Sequence, residues 1–394
     1  MKLLPILCLL TLSLASAAAR SLHVDPVAGD DTQDGVAAPV KTIARAILLA
    51  QPGDTVNLAP ATYYETVNLG NKHGLPGQPI TVDGHGAVID GSDPIVAAEW
   101  ESLGGGLFRK TGGMRASGSY LGRWYFLWNG SMNRMGRTSK GPRAPFKKVE
   151  ELLPDEWTYV EAENAFYLKL PEGKKLEEAG IRSPNRANGV SLSRSGAHLV
   201  VRNLTCTHVY NDGFNIHGDQ VDIIFENITA IECGDDGFSA HETGECRIDG
   251  FTSIGNSTGL CDIGSSVTHY KNVFISGCHG HDIFFIGDTA HSMENVLVES
   301  SAASAITIGQ GTLRPDLAPC VVTFKNVLCR RAPGLPGVLK VNANSQLDVH
   351  QSTFIGLQTQ VLGTGRLGLT ASVISQVESP VAGADAASLE KLRR

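Results

Sequence analysis

The sequence predicts an all-β chain, a right-handed parallel β-helix with an N-terminal capping helix and an inserted β subdomain. Two observations carry this. From Asn203 onward a pattern returns about every 23 residues, with Asp212-Gly213-Phe214-Asn215-Ile216-His217 echoed by Asp236-Gly237-Phe238-Ser239-Ala240-His241. So short a period marks a solenoid whose repeats stack on their neighbours. The composition agrees: 44 glycines, 6% aromatic residues and 42% hydrophobic residues among 394 suit many short strands and turns.

In chain order, residues 1–19 read as a secretory leader. Lys2 is the positive start, Leu3 to Leu14 the apolar run, and Ala15-Ser16-Ala17 a small-residue cleavage site. No later segment is apolar enough to span a bilayer, so a secreted or periplasmic protein is expected. Residues 20–100 supply the cap and first coils. Thr42 to Gln51 reads as a helix stopped by Pro52-Gly53-Asp54, and strands follow at Thr55–Leu58, Glu65–Leu69 and Ile80–Val82.

Residues 101–182 break the rhythm and read as an inserted subdomain. Leu103 to Val149 holds ten basic residues and no Asp or Glu, with Tyr120, Trp124, Tyr125, Phe126 and Trp128 among them. That pattern predicts a cationic, aromatic surface for an acidic polysaccharide, either bound there or balanced by the acidic coils. The net charge of −7 and the leader argue against nucleic acid. A hairpin is expected from Glu156–Val160 and Ala165–Leu170. Coils then occupy 183–380, and 381–394 form a tail. The oligomeric state is not legible.

Within the coils the predicted inward pairs are Phe214/Ile216, Phe238/Ala240, Cys261/Ile263, Phe284/Ile286, Ile306/Ile308 and Leu339/Val341. The residues between them, Asn215, Ser239, Asp262, Phe285, Thr307 and Lys340, are expected to face out. An Asn column at 203, 227, 272, 295 and 326 reads as a stacked structural ladder. The seven cysteines after Cys8 read as buried small apolar residues.

Stacking brings Asp212, Asp235 and Asp236 together, because adjacent coils lie roughly 4.8 Å apart. Carboxylates so close share a proton or a cation. The first case supplies an acid and a base for inverting hydrolysis without a cofactor, with Asp212 as base. The second supplies a Ca²⁺ site on the same three residues. A plain turn role for Asp-Gly is the alternative. His217, His241, Asp262, His281 and Asp282 are expected to contact substrate, with the two stacked histidines also readable as a surface ladder.

At these residues the chain resembles the pectate-lyase superfamily of right-handed parallel β-helices. Asn211-Asp212-Gly213-Phe214 and Gly234-Asp235-Asp236-Gly237 are similar to motifs of the polygalacturonase-type glycoside hydrolases, where three such aspartates carry inverting hydrolysis. They are equally similar to the calcium-dependent family 9 polysaccharide lyases, where three aspartates hold the metal. Ser257-Thr258-Gly259 stands where the first family bears Gly-His-Gly. Ile283-Phe284-Phe285-Ile286 stands where it bears Arg-x-Lys, and where the lyases place a lysine base. The resemblance therefore implies the superfamily and an exported carbohydrate-active enzyme. Hydrolysis is favoured, a Ca²⁺-dependent lyase is the alternative, and a non-catalytic glycan-binding β-helix is the third reading.

Overall fold

The computed structural model describes residues 18–112, 118–135, 146–310, 318–375 and 383–393, with side chains of 118–120 left aside. The expected leader lies outside them except for its last two residues. No described helix is long and apolar enough to cross a membrane.

The chain is a parallel β-solenoid. One wall is a sheet of long strands, including Ser195–Thr207, Asp219–Ile231, Glu245–Ile254, Val267–Ser276, Ala290–Ser300 and Cys320–Arg331. The facing wall is a nine-stranded sheet of short strands, including Phe214–Ile216, Asp236–Ala240, Thr258–Asp262, His281–Phe285 and Ser304–Ile308. Both sheets are parallel along these strands, and their inward side chains form one continuous core. The cap is a helix, Ile43–Leu49. Thr42 Oγ1 accepts from the Arg45 N–H at its start, and Ile43, Ala46 and Ile47 are buried.

The long strands bend at a left-handed residue that is Asn in five coils: Asn203, Asn227, Asn272, Asn295 and Asn326. Asn tolerates positive φ better than other residues with a side chain. The side chains also bond in file. Asn227 Nδ2 donates to Asn203 Oδ1 at 2.9 Å, Asn295 to Asn272 at 3.2 Å, and Asn326 to Asn295 at 2.9 Å. In the one intervening coil Gly250 takes the bend, and Asp249 Oδ1 accepts from Asn272 Nδ2 at 2.6 Å. The Asp385 N–H ends the file on Asn326 Oδ1. Asn272→Gly keeps the bend and loses only the ladder, whereas Asn272→Ala also adds backbone strain. Urea unfolding should show losses of about 1 and about 2 kcal/mol respectively, with unchanged m-values.

The inward register corrects the expectation at two coils. Phe214 aligns with Phe238, Leu260, Ile283 and Ile306, and Ile216 with Ala240, Asp262, Phe285 and Ile308. Cys261 and Phe284 therefore take the outward positions, and Asp262 and Phe285 point into the core. The turn before Leu260 is one residue shorter than its neighbours, and a one-residue slip exchanges the two faces of a strand.

The segment from Ser92 to Pro184 contributes two four-stranded antiparallel sheets, and the expected hairpin pairs Glu156–Val160 with Ala165–Lys169. Its aromatic residues are not a surface platform. Trp124, Tyr125, Phe126 and Trp128 are buried, and Trp124, Phe126 and Trp128 share a second core with Trp157, Phe166 and Tyr210. Several bases are matched by acids: Arg109 with Glu101, Lys110 with Glu99, and Lys147 with Glu156. Arg115, Arg137, Lys140 and Arg143 lie outside the described residues. All seven cysteines after Cys8 are buried.

Candidate functional site

The three aspartates meet where turns enter the short-strand sheet. Asp212 precedes Phe214–Ile216, Asp236 opens the next strand and Asp235 stands in the turn just before it. One oxygen from each lies within 4.8 Å of the others. The neighbouring Asp-Gly pairs are not reverse turns. Gly213 and Gly237 lack positive φ, and a Cβ on Gly213 would meet Gly237 O at 2.8 Å. These glycines serve close coil stacking, so the turn explanation for the aspartates loses its basis.

Each carboxylate has a distinct setting. Asp212 is 3% exposed. Its Oδ1 accepts the Asp236 N–H at 3.0 Å, and its Oδ2 accepts Asn215 Nδ2 at 2.6 Å and Asn211 Nδ2 at 3.0 Å. Asp235 Oδ2 lies 2.7 Å from Arg123 Nη1, which also donates to Asn211 Oδ1. Arg134, buried in the same region, donates weakly to Gly234 O. Burial pulls its guanidinium down to about 10, while Tyr125 and Asp235 oppose that pull. The cluster is largely covered, with Asp212, Asp235 and Asp236 all buried. Its opening to solvent is the Asp235 and Arg123 side chains, 10% and 15% exposed.

Arg123 is held by the two aromatic residues after it. Tyr125 OH donates to Val209 O at 2.9 Å, with Glu232 O 3.2 Å away, and Trp124 stacks on Tyr210. The acid-free block signalled a cationic element, but no sequence spacing marked Arg123 as the partner of Asp235.

At the opposite end of the same strands His217 and His241 stack, with ring centroids 4.1 Å apart and planes at 21°. His217 Nδ1 lies 3.0 Å from Glu242 Oε2, and His241 Nε2 lies 2.8 Å from Ser239 Oγ. Burial raises the Glu242 carboxyl, but the Gly218 N–H and His217 outweigh it and hold it below its ordinary value. The two histidines and Glu242 also converge within 4.8 Å. Near-parallel rings aim their in-plane lone pairs alongside one another rather than at one point, so this stack suits hydrogen bonding better than chelation. The His end lies about 16 Å along the strand from Asp212, at roughly 3.3 Å per residue.

His281 joins the aspartate column, in register with Thr258 and Asp236, and is 8% exposed. Asp262 and Asp282 do not contact any outer groove: both are 0% exposed and point inward. Burial pushes both carboxyls up to about 7. Phe284, not Lys, occupies the outward position two coils beyond Ser239, and Lys340 stands two coils further on.

Residues 27–74 match a family model described as a protein of unknown function, DUF1565. No curated protein matches the chain. Among solved structures, XylC in complex with xylose superposes with a TM-score of 0.54 and 13% identity, over 86% of this chain and 69% of its own. A glycoside hydrolase gives 0.50 and 11%, over 94% and 99%. The pectate lyase Pel9A gives 0.45 and 14%, over 92% and 82%. At these identities the likeness is one of fold.

Proposed function

We propose that the chain is an exported enzyme that hydrolyses glycosidic bonds of an extracellular acidic polysaccharide, with Asp235 and Asp236 as its reacting carboxyls. The convergence of three carboxylates within 4.8 Å supports this reading most. With one oxygen of each inside 4.8 Å of the others, the carboxyls stand closer than the roughly 6.5–9.5 Å of inverting pairs, which leaves the shorter-spaced retaining arrangement as the better match. Retention is therefore favoured over the inversion suggested by sequence.

Asp235, beside the Arg123 counter-charge, attacks the anomeric carbon while Asp236 gives its proton to the leaving oxygen. Water then displaces Asp235, and Asp236 recovers a proton from that water. Asp212 is not the base in this scheme. Its oxygens are taken by N–H donors, so it positions Asp236 and Asn215. With Asp236 protonated as the acid, Arg123 and Arg134 balance Asp212 and Asp235, so an acidic chain meets a compensated site and not a bare negative cluster. The structural neighbours with a TM-score of 0.5 or more include a xylose complex and a glycoside hydrolase, which fits a carbohydrate ligand.

The all-oxygen donor set favours one second reading, in which Asp212, Asp235 and Asp236 hold Ca²⁺. Bound calcium would acidify the α-proton of a uronate. The outward column Asn215, Ser239, Cys261, Phe284 and Thr307 offers no lysine base for that elimination. Purified protein on pectin, alginate, glycosaminoglycan and sulfated algal glycans should release reducing ends that initially keep the anomeric configuration. No ultraviolet-absorbing unsaturated uronate should form, and chelator should have no effect. Absorbance lost on chelation would transfer the site to the lyase reading, and no cleavage at all would leave a glycan binder.

A further inference from the structure

Further along the same edge of the solenoid lies a cleft of about 770 Å³. It opens between the turns that follow the long strands, among Ser276, Ser300, Arg331, Leu335 and Ile355. Its floor is Arg331, 8% exposed. Arg331 Nη1 donates to Ser300 Oγ at 2.8 Å and Nη2 to Pro336 O at 2.6 Å, while the buried Nε has no acceptor. The nearby carboxylates are taken: Glu390 pairs with Arg330, and Glu299 with Arg393. Among the described residues Arg331 has no ion-pair partner.

Behind it Asp282 is fully enclosed, and neither of its oxygens makes a well-formed hydrogen bond. Burial brings its carboxyl up to about 7, against the pull of Ser300 and Arg331, so at neutral pH it is only a partial counter-charge. A guanidinium buried without a full partner is costly. An anion entering the cleft would supply the missing half, and Leu335 and Ile355 give apolar surface beside it.

We propose that this cleft is a second glycan subsite, taking a sugar residue that bears a carboxylate or sulfate, with Arg331 as its anchor. It rests on the reading of the chain as an enzyme for acidic polysaccharides, and it extends that site along the stack. Ile231, just before Asp235, registers through Ile254, Ser276 and Glu299 onto Arg330. Four coil steps are about 19 Å at roughly 4.8 Å each. Gly255 and Gly277 occupy turns between and add no side chains of their own, while the Glu232 side chain packs over Gly255. The turn from Arg330 to Leu339 spans nine residues against seven from Glu299 to Ile306, and its Arg331 to Leu335 part forms a wall of the cleft.

The test measures binding of uronate oligosaccharides from pectin and alginate, sulfated oligosaccharides from carrageenan, and a neutral galactan fragment. Calorimetry on full-length Asp236→Asn avoids turnover. At least one anionic class should bind, and the neutral fragment should not; the class that binds identifies carboxylate or sulfate. Arg331→Gln should weaken binding at least tenfold. Because Arg331 is buried and bonded, Leu335→Glu at the exposed rim is the second variant and should give a similar loss. Unchanged affinity in Leu335→Glu and in folded Arg331→Gln, or no anionic binding at all, overturns the subsite. Cleavage with an unchanged KM in Leu335→Glu removes the subsite alone. Anionic binding at the cleft without any cleavage removes the enzymatic reading alone.

Discussion

Asp236→Asn should lower kcat on the cleaved polysaccharide by about 10²- to 10⁴-fold, the usual contribution of a positioned acid and base, while the unfolding midpoint stays near that of the parent. Asparagine keeps the shape and the backbone N–H that reaches Asp212 Oδ1, but it has no proton to exchange with a leaving oxygen. Asp235→Ala should lose activity as severely, for a different reason: it removes the attacking oxygen. Azide added to Asp235→Ala should restore turnover and give a glycosyl azide of inverted configuration. Azide added to Asp236→Asn should not form that product by the same route. A purely structural role for both aspartates predicts parallel losses of stability and activity with no rescue. Arg123→Gln separates the roles again. It withdraws the counter-charge 2.7 Å from Asp235, so the pH–rate profile should shift and not merely fall.

Periodicity made most of this architecture legible before any coordinates. Asp, Gly, Phe and His recur together in two successive coils, so Asp212, Asp236 and the histidine stack could be placed from sequence alone. The Asn ladder was legible because one residue type meets two demands at once, positive φ and a self-complementary amide. Legibility failed where the period changed. Cys261 and Ile263 offered an apolar pair that mimicked Phe238 and Ala240, and they concealed a turn one residue shorter. That slip turns Asp262 inward and brings His281, not Asp282, into the aspartate column. The inserted segment failed differently. Its Trp and Tyr residues carry the same letters whether they face sugar or form a core, and only packing against Tyr210 and Phe166 decides. The Arg123–Asp235 pair joins residues over a hundred positions apart on unrelated elements, and no period connects them.

The buried Asp262 yields the largest stability effect, and its sign is unusual for an acid-to-amide change. Asp262 is enclosed with Tyr270, Thr268 and His291 inside the solenoid. Its carboxyl accepts Tyr270 OH at 2.9 Å and Thr268 Oγ1 lies 2.6 Å away; the Thr268 hydroxyl is also 2.9 Å from His291 Nδ1. Burial pushes Asp262 up to about 7, against the pull of Thr268 and Tyr270, and brings His291 down to about 4. Between about pH 4 and pH 7 both groups are mostly neutral, and the Thr268 hydroxyl stands between Asp262 Oδ2 and His291 Nδ1. A raised carboxyl means that the folded chain holds a proton the unfolded chain has released between about pH 4 and pH 7. Its contribution is full below pH 4 and is lost as pH rises through 7, by about 4 kcal/mol in all. An amide at this position stands in for the protonated acid and cannot ionise. Asp262→Asn should therefore match the parent near pH 4 and exceed it increasingly toward pH 8, by an amount approaching about 4 kcal/mol in urea unfolding. Asp262→Leu strands the Tyr270 and Thr268 hydroxyls and should cost about 1–3 kcal/mol near pH 4, where the acid is protonated. A constant difference between Asp262→Asn and the parent across this range would mean that Asp262 is ionised in the folded chain. A cation or a mobile water would then have to compensate it inside the core.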